Sequence, residues 1–266
     1  MSPDPSKCVL ITGGGTGIGA AITREFAANG WNCMILGRRE EPLKVLADDL
    51  ASGPGLVSWR ATDITDPAER EAAYAACVER FGPPSALINN AGRSATDPLL
   101  TYSQEDWRAV MHTNVEAGFF FAQLAVPAMR DRGHGAIVNI GSVYGSLGIN
   151  NDFYEGKLAW NDAENRGPVR EFAYAASKGA VLQITRELAT ALGKWNITVN
   201  AVTPGMVKVD ANPLGDAIEQ RLVRATPLQR MGRPEDIAPT VHFLTTPGAA
   251  FITGAEIKVD GGWSVW

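Results

Sequence analysis

The sequence contains few of the residues that bind metals or form disulfides: only three cysteines and three histidines occur among 266 residues. No two of the cysteines, Cys8, Cys33 and Cys77, have metal-ligand or redox spacing, and the histidines are scattered. We therefore expect no metal site. Cys8 and Cys33 lie in apolar runs typical of strands, where a thiol serves as a small buried hydrophobic group.

Positive charge is also scarce. The chain has 24 lysines and arginines against 29 aspartates and glutamates, which gives a formal net charge of -5. This balance argues against nucleic-acid binding, which needs a basic face, and against adsorption to an anionic membrane surface. The sequence also lacks a bilayer-spanning apolar run and a charged-then-apolar secretory leader. We expect a soluble, cytoplasmic protein.

The apolar runs that are present are short and alternate with helical patterns. This alternation predicts an α/β fold: a doubly wound, Rossmann-like parallel sheet of about seven strands with helices on both faces. We expect one domain over residues 1–266, because no linker or repeat interrupts the pattern. Strand patterns occur at residues 8–12, 31–36, 56–60, 86–89, 135–141, 197–202 and 256–259, and helical patterns at 18–29, 40–50, 67–81, 103–132, 171–193, 216–224 and 234–244.

Two segments break the alternation, at residues 147–170 and 207–230. Long irregular segments in a compact domain are usually functional loops. Ligands bind outside the carboxyl ends of the strands in open α/β sheets, so we expect both segments to lie there.

A glycine-rich turn separates the first strand pattern from the first helix pattern. Such a turn lets backbone N–H groups approach a pyrophosphate at the helix N-terminus. A tight strand-to-helix turn without a ligand would also need glycines, but the flanking strand and helix favour the phosphate-binding interpretation. The spacing differs from G-x-G-x-x-G, and no G-K-[ST] follows. The candidate cofactor-binding residues in this turn are Gly13, Gly15, Thr16, Gly17, Ile18 and Gly19.

The second strand pattern ends in Gly37, Arg38 and Arg39. An acidic residue at this place would hold the ribose 2′-hydroxyl of NAD. Without that carboxylate, a guanidinium can bind the 2′-phosphate of NADP through charge-assisted hydrogen bonds. We therefore predict NADP(H) rather than NAD(H), with Arg38 and Arg39 as binding residues; two solvated arginines that lead a helix are the other interpretation.

Tyr174 and Lys178 are four residues apart in a helical pattern, which places them on one face. A positive charge beside a phenol favours the phenolate and lowers the tyrosine pKa. Such a pair suits proton transfer to or from a carbonyl or alcohol oxygen. Taken alone, the pair is more typical of an ordinary helix surface, where such pairs are common.

Together these residues resemble the short-chain dehydrogenase/reductase family in its small single-domain form, and are similar to its 3-oxoacyl-ACP reductases and its sugar and polyol dehydrogenases. The resemblance covers nearly the whole chain. The matching positions are Thr12, Gly13, Gly17 and Gly19, Asp63, Asn89 to Gly92, Asn114, Ser142, Tyr174 and Lys178, Pro204 and Gly205, and Asp260 to Gly262.

The resemblance implies an oxidoreductase in which Tyr174 is the general acid/base. Lys178 would lower its pKa and bind the nicotinamide ribose, and Ser142 would bind the substrate oxygen. Asn114 would hold a helix kink and a proton-relaying water. The other cofactor contacts that it implies are Asp63 and Ile64 at the adenine, Asn90, Ala91 and Gly92 at the adenosine-side ribose, and Pro204, Gly205 and Val207 at the nicotinamide.

The sequence departs from the family pattern at three places. Thr16 stands where many NADPH-dependent members carry a basic residue, and Val209 where a threonine often contacts the carboxamide. The segment between Ser142 and Tyr174 is longer than is usual in the family. We hypothesise that its aromatic residues Phe153, Tyr154 and Trp160 cover the substrate mouth; a surface excursion or a subunit contact are the alternatives.

Three functions remain open from the sequence. The first is an NADP(H)-dependent reductase of a ketone or 3-oxoacyl group, the second an NAD-linked sugar or polyol dehydrogenase, and the third a non-catalytic dinucleotide sensor. The apolar helices at 103–132 and 171–193 and the aromatic residues Phe251, Trp263 and Trp266 suggest a homotetramer or homodimer, the usual assemblies in the family.

Overall fold

The computed structural model describes residues 7–209 and 214–266, in which one large parallel sheet carries the fold. Its strands lie in the order β3-β2-β1-β4-β6-β8-β9. They are β1 (Cys8–Thr12), β2 (Asn32–Gly37), β3 (Val57–Ala61), β4 (Ala86–Asn89), β6 (Gly135–Ile140), β8 (Ile197–Pro204) and β9 (Glu256–Val259), while β5 (Asp97–Pro98) and β7 (Val169–Arg170) form a separate antiparallel pair.

Helices cover both faces of the large sheet, because alternate residues of its strands point to opposite sides. In β1, Val9 and Ile11 pack against the helices at residues 17–28, 40–49 and 234–243, whereas Cys8 and Leu10 pack against those at 67–81, 117–132 and 172–192. The predicted fold class is confirmed. The helices are α1 (Gly17–Ala28), α2 (Glu40–Asp49), α3 (Pro67–Phe81), α4 (Gln104–Met111), α5 (Ala117–Arg132), α6 (Phe172–Leu192), α7 (Asp216–Ala225) and α8 (Pro234–Phe243).

The long helix predicted at 103–132 is interrupted. A π-helical turn, His112–Glu116, separates α4 from α5 and contains Asn114. The N-terminus follows the prediction, because the Ser103 hydroxyl accepts a hydrogen bond from Asp106 N at 3.2 Å. π-Turns occur mostly inside α-helices, frequently at functional sites, and the Asn114 side chain in this one bonds to the backbone of Arg93 in the loop that follows β4.

The segment at residues 147–170, which was predicted as irregular, packs against neighbouring parts of the domain. Its end, β7, pairs with β5, and a short 3₁₀ turn lies at Asn151–Tyr154. Buried side chains of the segment join those of α7 and Trp263 in a third hydrophobic cluster.

Along the described part of the chain, none of the helices combines the length and the apolar character that crossing a bilayer requires.

Candidate active site

A cavity of about 430 Å³ opens at the carboxyl ends of β4, β6 and β8. Residues that follow these strands line it, including Asn90 and Gly92 after β4, Ser142 after β6 and Gly205 after β8. α6 contributes Tyr174 and Lys178. The topology thus brings residues far apart in the chain to one edge of the sheet, the edge where open α/β sheets bind ligands.

Tyr174 and Ser142 both line the cavity, close enough for the Ser142 hydroxyl to influence the pKa of the phenol. Tyr174 lies in the first turn of α6, and Ser142 lies just beyond β6. Lys178 is one turn further along α6, with Nζ 5.6 Å from the centroid of the Tyr174 ring. Its ammonium donates a hydrogen bond to the carbonyl oxygen of Ile140 at 2.7 Å, which fixes the side chain against the end of β6.

The pKa values of Tyr174 and Lys178 differ from the expectation based on the sequence. Burial raises the pKa of Tyr174, the hydrogen bond from Ser142 opposes this effect, and the negative charge of Glu171 adds to it. Burial lowers the pKa of Lys178 to about 8. The expectation that the Tyr174 pKa falls below its ordinary value is wrong for this arrangement, because desolvation of the phenolate dominates and the Lys178 ammonium donates its hydrogen bond to Ile140.

Asn114 lies outside the cavity and connects two elements that border it, the loop after β4 and α6. Its side chain accepts a hydrogen bond from Arg93 N at 2.8 Å and donates one to Arg93 O at 2.9 Å. Its amide also donates to the Ser177 hydroxyl at 2.9 Å. The buried amide therefore connects the loop after β4 to α6, and the helix distortion expected at this residue is present as the π-turn.

The glycine-rich turn lies at the same sheet edge and fits a pyrophosphate. A Cβ at Gly19 would lie 1.9 Å from Gly13 O, so only glycine allows this close approach. The amide of Asn90 donates to Gly13 O at 3.1 Å and braces the turn. The N-cap Thr16 makes no side-chain cap hydrogen bond, and the first turn of α1 carries no acidic residue that would repel an anion.

The end of β2 presents two exposed cations, Arg38 and Arg39. Close by, the pKa of the Asp63 carboxyl is lowered mainly by hydrogen bonds from Thr65, with Arg38 and His112 as smaller causes. The Ile64 side chain packs in the core instead. A phosphate would therefore meet guanidinium groups at this end of the sheet.

The structure divides the predicted site residues into two groups. Those that line the cavity are Ile18, Asn90, Gly92, Ser142, Tyr174, Lys178, Pro204, Gly205 and Val207. Those that lie outside it are Gly13, Gly15, Thr16, Gly17, Gly19, Arg38, Arg39, Asp63, Ile64, Ala91 and Asn114.

The predicted aromatic cover is only partly present. Tyr154 lines the cavity, and its hydroxyl lies 2.6 Å from the hydroxyl of Tyr144. Neither of the other two residues lines the cavity: Phe153 packs edge-on against Trp263, and Trp160 is 56% exposed. Hydrophobicity and proximity in sequence did not show which ring faces inward.

Several lining residues were missed from the sequence, among them Tyr144, Lys157, Leu158, Glu171 and Met206. Glu171 had a detectable signal, because it precedes Tyr174 by three residues, about one helical turn. The others are brought in by the path of the inserted segment, which has no sequence period. In the described ranges, no three side chains of His, Cys, Asp or Glu gather into a group that could hold a metal ion.

Comparison with known proteins places this site in a family. The family model described as short chain dehydrogenase matches residues 7–153, and the one described as Enoyl-(Acyl carrier protein) reductase matches residues 158–264. The chain belongs to the short-chain dehydrogenase/reductase family. It is therefore an NAD(P)-dependent oxidoreductase that acts on CH–OH or C=O groups.

Two curated members of the family are similar along almost their whole length. Galactitol 2-dehydrogenase (L-tagatose-forming) of Cereibacter sphaeroides is 36% identical, over 97% of this chain and 95% of that protein. The 3-oxoacyl-[acyl-carrier-protein] reductase MabA of Mycobacterium bovis is 34% identical, over 98% of this chain and 94% of that protein. The two relatives differ in substrate, so similarity to them does not identify the substrate here.

A solved member of the family has the same fold. The crystal structure of a blue fluorescent protein from a metagenomic library, in complex with NADPH, superposes with a TM-score of 0.81 at 33% identity. The match covers 97% of this chain and 98% of that one.

Proposed function

We propose that the protein is an NADP(H)-dependent reductase of a ketone, reversible as a secondary-alcohol dehydrogenase, with Tyr174 as general acid/base. The observation that supports this most directly is that Tyr174 and Ser142 line the same cavity at the carboxyl edge of the sheet. A carbonyl oxygen placed between these two hydroxyls would accept a hydrogen bond from each, which orients the carbonyl for reduction.

The nicotinamide supplies or accepts the hydride when bound. Tyr174 gives its proton to the developing alkoxide, and Ser142 holds the same oxygen. The raised pKa of Tyr174 keeps the phenol protonated at neutral pH, which suits a general acid in reduction. Lys178 places a positive charge near the phenolate that remains, and Asn114 positions the loop and helix around it.

The cofactor preference rests on Arg38. Its exposed guanidinium follows β2 directly, and Gly37 stands where a carboxylate would repel a 2′-phosphate. The NADPH complex of the similar solved structure is consistent with this preference. Backbone groups of the glycine turn, together with Ile18, Asn90, Gly92 and Val207, would hold the rest of the dinucleotide.

A second candidate is an NAD-linked sugar or polyol dehydrogenase. The similarity to a galactitol dehydrogenase supports it, as do the charged residues Lys157 and Glu171 inside the cavity. Against this stands the 3-oxoacyl reductase alternative, supported by MabA and by the apolar remainder of the cavity wall. Membership of an enzyme family removes the support for a non-catalytic sensor.

We also propose a homotetramer or homodimer. Phe119 and Phe120 are 40% and 38% exposed on α5, and Phe251 and Trp266 are exposed near the end of the chain. Trp263 is buried against Phe153 and takes no part in such a surface. The cytoplasmic location stays a prediction.

The deciding experiment replaces Tyr174 by Phe and measures turnover and cofactor binding separately. Loss of the phenol proton should reduce kcat/KM by about 10²- to 10⁴-fold, while NADPH binding changes little. Tyr74→Phe, on α3 and away from the cavity, is the matched control and should keep full activity. Turnover by Tyr174→Phe within about tenfold of the unchanged protein would contradict the proposed acid/base role.

A further inference from the structure

The carboxyl group of Glu171 is a polar feature of the cavity that the proposed proton transfer does not use. Glu171 is the N-cap residue of α6, yet its side chain makes no cap hydrogen bond. Acidic N-cap residues normally accept hydrogen bonds from the first helical turn. Here the side chain lines the catalytic cavity instead, beside Tyr174.

Neighbouring groups hold this carboxylate in place. The Thr96 hydroxyl donates a hydrogen bond to Glu171 Oε1 at 3.3 Å, and the Ser94 hydroxyl lies close enough to favour the carboxylate form. Lys157, from the inserted segment, contributes a favourable positive charge. A carboxylate offers about four acceptor positions, so these hydroxyls leave capacity for a further donor from the cavity.

The other cavity-lining residues at 147–170 and 206–231 are largely apolar. They include Ile149, Leu158, Met206, Leu214 and Met231. A half-buried acceptor beside apolar side chains favours a ligand that brings a donor, because a carboxylate that a ligand covers without a matching donor loses solvation without compensation.

The donor is more consistent with a hydroxyl than with a cation. Arg93 and Lys157 line the same cavity and would repel an ammonium group. A hydroxyl can accept from such cations and donate to Glu171 at once. Glu171 and Tyr174 line the same cavity and are three residues apart at the start of α6, so the carboxylate lies near the phenol that would hold the reacting oxygen.

From this geometry we propose that Glu171 determines substrate specificity by accepting a hydrogen bond from a hydroxyl next to the reacting carbon. The substrate class is then an α-hydroxy ketone, or the vicinal diol formed from it. This inference depends on the proposed function, since it assumes that Tyr174 and Ser142 hold the carbonyl oxygen. A 3-oxoacyl chain has no hydroxyl at that position.

The test compares matched substrates that differ only in the neighbouring hydroxyl. Acetoin is paired with 2-butanone, and 2-hydroxycyclohexanone with cyclohexanone, each with NADPH and with NADH. The enzymes are the unchanged protein, Glu171→Leu, Glu171→Gln and the control Glu187→Leu, an exposed glutamate of the same helix. The ratio of kcat/KM for hydroxyketone to plain ketone is the readout.

We expect the unchanged protein to prefer the hydroxyketone by about tenfold to hundredfold, the range for one hydrogen bond to a charged group. Glu171→Leu should bring the ratio close to one, and Glu171→Gln, which keeps one acceptor, should give an intermediate ratio. Glu187→Leu should leave the ratio unchanged. If Glu171→Leu does not fold, Glu171→Gln alone still tests whether the ratio of kcat/KM falls below that of the unchanged protein.

Other outcomes separate the two proposals. A ratio that is the same in the unchanged protein and in the Glu171 variants overturns the role of Glu171 and leaves the reductase proposal intact. Turnover of plain ketones or 3-oxoacyl thioesters without turnover of hydroxyketones does the same. If no carbonyl substrate is reduced with either cofactor, both proposals are contradicted.

Discussion

The side-chain amide of Asn114 donates a hydrogen bond to the Ser177 hydroxyl at 2.9 Å, and this bond joins the π-turn to α6. Ser177 in turn donates to the carbonyl oxygen of Tyr174 at 2.7 Å. The distortion of one helix is thereby connected to the backbone of the residue that would transfer the proton. A regular helix through 103–132 would displace Asn114 from this position.

Replacing Asn114 by Leu should destabilise the fold. The substitution leaves Arg93 N–H and C=O without their partner, at about 1–3 kcal/mol for each buried group left unsatisfied. Ser177→Ala, which keeps both Arg93 bonds, should cost about 1 kcal/mol. Urea unfolding measures the free energy of unfolding of both variants. Gln123→Leu, on the exposed face of α5, is the control. Equal stability of Asn114→Leu and the control would show that this amide is not structural.

Gly19→Ala tests the phosphate turn. Its Cβ would lie 1.9 Å from Gly13 O, so the turn must move away from the geometry that accepts a pyrophosphate. We expect NADPH affinity to fall at least about tenfold, with a loss of stability of about 1–3 kcal/mol typical of overpacking. Gly193→Ala is the control, because no atom lies within 4 Å of its Cβ and its φ is -55°. Unchanged Kd values for Gly19→Ala would argue that the turn does not contact the cofactor.

The regular elements were predictable because their signals are local. Cys8–Thr12, Pro67–Phe81, Ala86–Asn89 and Glu256–Val259 have the predicted bounds, since apolar runs and caps decide where such elements begin and end. The strands β5 and β7 were not predictable: each has two residues, and they exist only because the chain brings Asp97 and Arg170 together.

The site shows the same division. Tyr174, Ser142 and Lys178 were predicted to meet, and they line one cavity. The direction of the Tyr174 pKa was predicted wrongly, because four-residue spacing says nothing about burial. Spacing predicts which charges are near one another; packing decides whether water can solvate them.

Arg38→Asp should shift cofactor preference toward NAD(H) by at least about tenfold. The change replaces a guanidinium that can bind a 2′-phosphate with a carboxylate that repels it and can accept from the ribose hydroxyl. The measurement is kcat/KM with NADPH and with NADH. Arg186→Asp on α6 makes the same change in net charge and should leave the ratio as it was. A preference of the unchanged protein for NADH by tenfold or more would contradict the NADP(H) assignment.

Tyr154→Phe tests whether the inserted segment shapes the substrate site. The substitution removes the hydroxyl that lies 2.6 Å from Tyr144, a pair that also contacts Met206. We expect a loss of stability of about 1 kcal/mol and a KM for the substrate raised severalfold, with kcat less affected. Trp160→Ala is the contrasting variant, because Trp160 is exposed and does not line the cavity, so its loss should leave KM unchanged. If Trp160→Ala changes KM and Tyr154→Phe does not, then Trp160, and not Tyr154, is the residue of the inserted segment that shapes the substrate site.

The pH dependence of the two reaction directions follows from the raised pKa of Tyr174. Reduction needs the neutral phenol, so kcat/KM for the ketone should be constant through neutral pH and fall only in the alkaline range. Oxidation needs the phenolate, so kcat/KM for the alcohol should rise with pH through the neutral and alkaline range.

Lys178 adds a second titration, because its pKa is lowered to about 8 and it loses its charge above that pH. The phenolate then lacks its nearby cation, so the oxidation profile should rise less steeply above pH 8. Initial rates in both directions between pH 6 and pH 10 measure these profiles. An oxidation rate that is already at its plateau below pH 7 would mean that the phenol titrates below its ordinary range, so burial would not control its pKa.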